Sequence, residues 1–133
     1  MSLFNLENPP KAKDLREKAD NYWANQRYNM VENGLKRFLG KIADCASRGT
    51  TSVTWILDGS VITGDSNWDD YIKNLKKNSD ELMCFVAVLK YELEQLGYHV
   101  WRVGFKSSGN FAGLLVSWEE KKKFPKCKYT RFF

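Results

Sequence analysis

Reactive side chains are scarce in this sequence. One histidine, His99, and three cysteines, Cys45, Cys84 and Cys127, stand among 133 residues. An odd number of widely spaced cysteines excludes a disulfide framework and matches no zinc-ligand spacing, which points to a reducing compartment. No nucleophile, base and orienter combination has a recognisable motif, and no glycine-rich loop follows a strand and opens a helix to cradle phosphate. No apolar run approaches the eighteen or so residues of a membrane span. The opening MSLFNLENPPK has neither the basic nor the apolar region of a signal peptide. The expectation is a soluble, cytoplasmic protein without membrane association, cofactor, metal or enzymatic activity.

What the chain has is aromatic and basic. The hydrophobic fraction is 43%, the charged fraction 28% and the aromatic fraction 14%, with five Trp. These are globular values, and the length suits one domain that needs no staple. Of 21 basic residues, six lie in KKKFPKCKYTRFF, residues 121–133, which carries no acid, so the rest holds 15 basic against 16 acidic residues. The division is therefore a domain over 1–120 and a basic aromatic tail over 121–133. Cys45 and Cys84 fall in apolar helical stretches, where a thiol is a small hydrophobe, whereas Lys126 and Lys128 beside Cys127 favour its thiolate.

Pattern predicts a helix from about Lys11 to Arg48, following Pro9-Pro10 and ended by Gly49. Its apolar residues change phase. Leu15, Ala19, Tyr22, Trp23 and Met30 share one face, and Val31, Leu35, Phe38, Leu39, Ile42, Cys45 and Ala46 share another rotated by roughly 140°. Asn21, Asn25, Asn29 and Asn33 recur every fourth residue before Gly34, which weakens the helix by about 3 kcal/mol relative to Ala. Either it breaks near Asn29 to Gly34, or it stays whole and sends its N-terminal half to a partner. The glycine tips the expectation toward a break.

The run TSVTWIL, 51–57, reads as a strand, with Asp58-Gly59 turning into a short return strand Val61-Ile62-Thr63. Ser66 and Asp69 resemble a capping box for a helix to about Lys77, and Ser79 suits the cap of a helix over 80–96. In that last helix Leu82, Phe85, Val86, Leu89, Leu93 and Leu96 form one stripe, while Cys84, Ala87, Val88 and Tyr91 make the other side apolar. It is expected to be central and packed from two directions. A strand over 98–105, a hairpin loop at 106–110 and a return strand over 111–118 follow. The order predicts an α+β fold: a small, mostly antiparallel sheet of two hairpins with the helices on one face.

Leu96-Gly97-Tyr98, the closing hairpin and Ser117-Trp118 resemble the final unit of many short bacteriophage-encoded proteins of unassigned function. The helix end Ala46-Ser47-Arg48-Gly49 leading into Ser52-Val53-Thr54-Trp55 adds to the likeness. The resemblance implies a viral accessory protein acting in a host bacterial cytoplasm. It carries no catalytic residue with it.

Two surfaces are candidates for binding. Tyr22, Trp23, Asn25, Tyr28, Asn29 and Met30 combine aromatic anchors with little charge to desolvate, a composition suited to a host or viral protein or to a homo-oligomer through this helix. Alternatively these aromatics pack on the protein's own sheet while the Asn side chains face water. In the tail, Lys121, Lys122, Lys123, Lys126, Lys128 and Arg131 with Tyr129 would neutralise phosphates and stack bases. The competing reading docks the tail's aromatics on the domain itself. His99, on a strand face with Trp101 and Val103, reads as a partly buried imidazole. Asp58, Asp65, Asp69 and Asp70 read as turn, cap and helix-start residues in preference to metal ligands. The favoured function is a non-enzymatic phage-type accessory protein that binds a host or viral macromolecule, in a host-takeover or anti-defence role. The alternative is a nucleic-acid-binding accessory protein led by the tail.

Overall fold

The computed structural model describes residues 7–133. The fold is α+β. Helix α1 (Ala12–Ser47) leads into strand β1 (Ser52–Ile56), and helices α2 (Ser66–Lys76) and α3 (Ser79–Gln95) follow. Strands β2 (His99–Phe105), β3 (Phe111–Ser117) and β4 (Tyr129–Arg131) complete an antiparallel sheet in the order β1-β3-β2-β4.

Helix α1 does not break. It runs unbroken for 36 residues, about 54 Å at 1.5 Å per residue. Gly34 is present for a different reason from the one its propensity suggests. The Trp68 indole of α2 lies against its Cα, in the space a β-carbon would fill. Helical continuity there is supported by tertiary burial of Val31, Gly34, Phe38 and Ile42, one residue every three or four. The helix ends at Gly49, whose φ of +84° favours glycine. Its N–H donates to the Ala46 carbonyl and the Thr50 N–H to that of Cys45.

A stack of rings ties the layers together. Phe38 lies on Trp55 at 4.4 Å and 9°, and Trp55 on Trp68 at 5.8 Å and 13°. Phe85 of α3 then meets Trp68 and Tyr71 at tilted and edge-on angles. Beneath them, fully buried Val86, Leu89 and Leu93 of α3 share one cluster with Val100, Leu114 and Val116 of the sheet. α3 is packed against the sheet and against α1 and α2, but its outermost face is open: Cys84, Val88 and Tyr91 are exposed, as is Leu96 beyond its end.

Segment 58–65 also departs from expectation. The Asp58 carboxylate accepts from the Ser60 N–H, but no return strand forms, and Val61 and Ile62 are exposed. β3 takes the inner edge of β1, from Ser52 opposite Ser117 to Ile56 opposite Gly113. Thr63 is instead held by α2, its N–H and Oγ1 both donating to the Asp69 carboxylate. The helix caps lie one residue earlier than the sequence suggests. Asp65 accepts from the Asn67 and Trp68 N–H groups, and Asn78 from those of Asp80 and Glu81. Among the described residues, only the β2–β3 pair is a hairpin.

The second face of the sheet is covered by the chain's own end. Trp101, Val103, Ala112 and Leu115 are buried there under Phe124, Cys127 and Tyr129, and β4 pairs with β2 from Tyr129 opposite Phe105 to Arg131 opposite Val103. Residues 121–133 thus add a third layer and an edge strand to the domain.

Candidate functional site

The N-terminal part of α1 extends beyond the core. Every residue from Lys11 to Asn25 is exposed, and enclosed positions begin only at Val31. Tyr22 is 56% exposed, Trp23 64% and Tyr28 68%, although aromatics are usually enclosed by their own domain. The change of hydrophobic phase has a simple structural meaning: the body grips the face of Val31, Phe38 and Ile42, which turns the Tyr22 and Trp23 face away from the sheet.

The six predicted contact residues do not form one patch. Trp23 and Met30 lie on the flank of α1 toward α2, where they line a cleft with Asp70, Tyr71 and Asn74. Tyr22 meets Trp23 edge-on at 5.4 Å and receives a hydrogen bond from the Gln26 amide at 2.9 Å. Tyr28 points to the opposite flank, where a groove of about 540 Å³ separates α1 from α3 above Val31, Leu35 and Val88. Asn25 and Asn29 are exposed on the outer face. Met30 is half-buried and packs against the core.

Sequence reasoning missed two contributors, Tyr71 and Val88. Tyr71 reads as part of a short helix, and burial pushes its phenol up, an effect the Arg27 guanidinium of α1 offsets only in part. Val88 reads as core by periodicity, yet it is exposed because the groove between α1 and α3 leaves the outer face of α3 uncovered. No sequence signal distinguishes these two from ordinary packing residues.

The tail residues are brought together, but not as a stacking platform. Lys121, Lys122, Lys123, Lys126, Lys128 and Arg131 are all exposed. The rings between them face inward: Phe124 stands edge-on against Trp101 at 5.6 Å, Tyr129 lies 6.0 Å from Phe105, and Phe132 meets Phe111 at 5.4 Å. Phe133 alone of these rings is open, at 90% exposure, with the Arg131 guanidinium 5.4 Å above it. Cys127 is half-buried and its thiol faces the Tyr129 carbonyl oxygen at 3.5 Å.

The remaining candidates have local roles. His99 is half-buried, its Nε2 3.4 Å from the Glu120 carbonyl oxygen. The Asp65 carboxylate is held below the usual range by the Trp68 N–H and by the Arg37 guanidinium of α1, with which it forms an ion pair. Asp69 is lowered in the same direction, chiefly by the Thr63 N–H. These two acids pin α2 and the 58–65 segment to α1. Among the described residues, no three His, Cys, Asp or Glu side chains are grouped to hold a metal ion, and no helix is long and apolar enough to cross a membrane.

No known protein family, curated protein or solved structure matches the chain.

Proposed function

We propose that this chain is a small, non-enzymatic accessory protein of the phage type that binds a host or viral protein through the projecting half of α1. The observation that carries the reading is the exposure of Tyr22, Trp23 and Tyr28 on a stretch of helix whose enclosed positions begin only at Val31. Tyr22 and Trp23 adjoin edge-on and form an exposed aromatic pair, while Tyr28 stands on the opposite flank above the groove between α1 and α3. Aromatic rings are the side chains most often responsible for binding energy at interfaces, and the Asn residues beside them carry no charge to desolvate. The six exposed cations of the tail would speed encounter with an acidic partner. Electrostatic steering needs no stacking surface, which suits rings committed to the sheet. Interference with a host defence or host enzyme is the form of this role that the phage resemblance suggests.

The test pairs affinity capture with stability. Tyr22→Ala/Trp23→Ala is expected to melt within a degree or so of wild type, because both rings are exposed, and to lose a partner that wild type captures from host lysate after nuclease treatment. Unfolding of the double variant would assign the rings to the core. Capture that disappears with nuclease would favour the tail-led nucleic-acid reading, and a change from dimer to monomer would identify the partner as a second copy.

A further inference from the structure

The two edges of the sheet are guarded differently. β4 is short and its sequence is flanked by Lys128 and ends in Arg131, the usual protection against further strand pairing. β1 has no such guard in its own sequence: Thr51 to Leu57 contains no charge, no proline and no bulge, while Val61 and Thr63 stand beside its Trp55 end. Its inner bonds are fixed by parity. The Trp118 N–H donates to Thr51 and the Leu57 N–H to Ala112, so odd-numbered residues of β1 face β3. The N–H and C=O groups of Ser52, Thr54 and Ile56 therefore point away from the sheet. Among the described residues, no hydrogen bond reaches them.

What flanks this edge is specific. α3 packs over β2 and β3, and α1 beside it over β1. Neighbouring helices sit about 8–10 Å apart, roughly two strand spacings, so α1 overhangs the outer margin of β1. Its flank away from α3 carries Gly34, Arg37 and Lys41. With Phe38, Trp55 and Val61 these line a slot of about 130 Å³, the scale of one aliphatic side chain. Phe38 stacks on Trp55. Lys41, one turn of α1 beyond Arg37, lines this slot on the side from which β1 begins. Lys41 is exposed and makes no ion pair among the described residues, while Arg37 is partly neutralised by Asp65.

We propose that β1 is a docking edge for an extended peptide that adds a fifth, antiparallel strand, with an aliphatic residue opposite Trp55 in the slot and an acidic residue opposite Val53 facing Lys41. Main-chain bonds to Ser52 and Thr54 supply attachment, and the alternate side chains supply selection. A second copy of this domain does not fit in the plane of the sheet, because two-fold pairing of β1 with β1 would bring two overhanging α1 helices onto one axis. The occupant is a slender strand with no helix above it. This assignment is independent of the role given to Tyr22 and Trp23.

The experiment uses the full chain and a capped synthetic peptide, Thr-Val-Thr-Glu-Thr, with amide exchange followed residue by residue. Binding is expected to slow exchange at Ser52 and Thr54 by about tenfold or more, leaving the already bonded Val53 and Trp55 little changed. Replacing Glu by Lys in the peptide is expected to weaken binding about tenfold, and Lys41→Glu to reverse that preference, without loss of fold because Lys41 is exposed. Thr54→Pro removes an outward N–H outside the ladder and is expected to abolish binding of both peptides. Equal affinity for the Glu and Lys peptides, protection confined to residues 121–133, or no slowing at Ser52 and Thr54 would each overturn the assignment. So would a free chain that is dimeric with those two amides already protected.

Discussion

At Gly34 two physical effects of opposite sign meet, and the structure decides between them. Propensity alone says that Ala here would stabilise an exposed helix by about 1 kcal/mol. The Trp68 ring occupies the β-carbon's place, so Gly34→Ala must displace an indole that is itself stacked on Trp55. Overpacking of this kind costs about 1–3 kcal/mol and outweighs the gain. Gly34→Ala is therefore expected to lower the midpoint of thermal or denaturant unfolding, and a raised midpoint would mean that the glycine is a helix weak point after all. The residue type was legible in the sequence, but its purpose was not, because a contact glycine and a breaking glycine look alike until the residue that packs on them is known. The same limit applies to Asp69, which reads as half of a capping box but spends its carboxylate on Thr63.

At the scale of elements, α2 is seated by buried Trp68, Ile72 and Leu75, but the 58–65 segment is tied to α2 and α1 by two carboxylates, and this makes its attachment depend on pH. Asp65 and Asp69 both titrate below the ordinary carboxylate value of about 3.9 in the folded chain. A depressed folded pKa contributes stability that is present above the unfolded value and is lost as pH falls through the folded one. The expected outcome is an acid limb below about pH 4 in which residues 58–65 and the first turn of α2 loosen first, read from amide exchange at those positions. Asp65→Asn and Asp69→Asn are each expected to lower stability at pH 7 and to shrink the difference between pH 7 and pH 3. An unchanged difference in both variants would remove these acids from the account. Elements with their own periodicity were the legible ones: α3, β2 and β3 follow from apolar spacing and turn chemistry, whereas α1 was legible as helix but not as one unbroken helix, since its phase change and Gly34 favoured a break. The β1 return strand was not, since Asp58-Gly59 supports a hairpin locally and only the long-range pairing of β1 with β3 shows that its inner edge is taken. The exposure of Tyr22 and Trp23 was half legible. The shift of hydrophobic phase along α1 announced two faces, but which face the body would grip depended on α2 and on Trp68.

Across the whole molecule, the sheet has helices on one side and the chain's own end on the other, so the basic tail has a structural and an electrostatic part that can be separated. Phe124 covers Trp101 while Lys121, Lys122 and Lys123 stand in water beside it. Truncating a half-buried ring in contact with a buried one costs about 1–2 kcal/mol, less than the 3–5 of a fully enclosed Phe. Removing exposed lysines changes stability by less than about 0.5 kcal/mol. Phe124→Ala is thus expected to lower the unfolding midpoint and increase binding of an apolar dye at the uncovered sheet. The triple change of Lys121, Lys122 and Lys123 to Ala is expected to leave stability unchanged and slow association with an acidic partner, most of all at low salt. If Phe124→Ala is neutral, the third layer does not hold the sheet and its rings are free to meet a ligand. If the lysine variant unfolds more easily, the cations serve the fold. Burial of apolar surface and placement of charge thereby act on one segment through different side chains, which is why its composition alone left open a nucleic-acid arm beside the favoured reading of rings docked on its own domain.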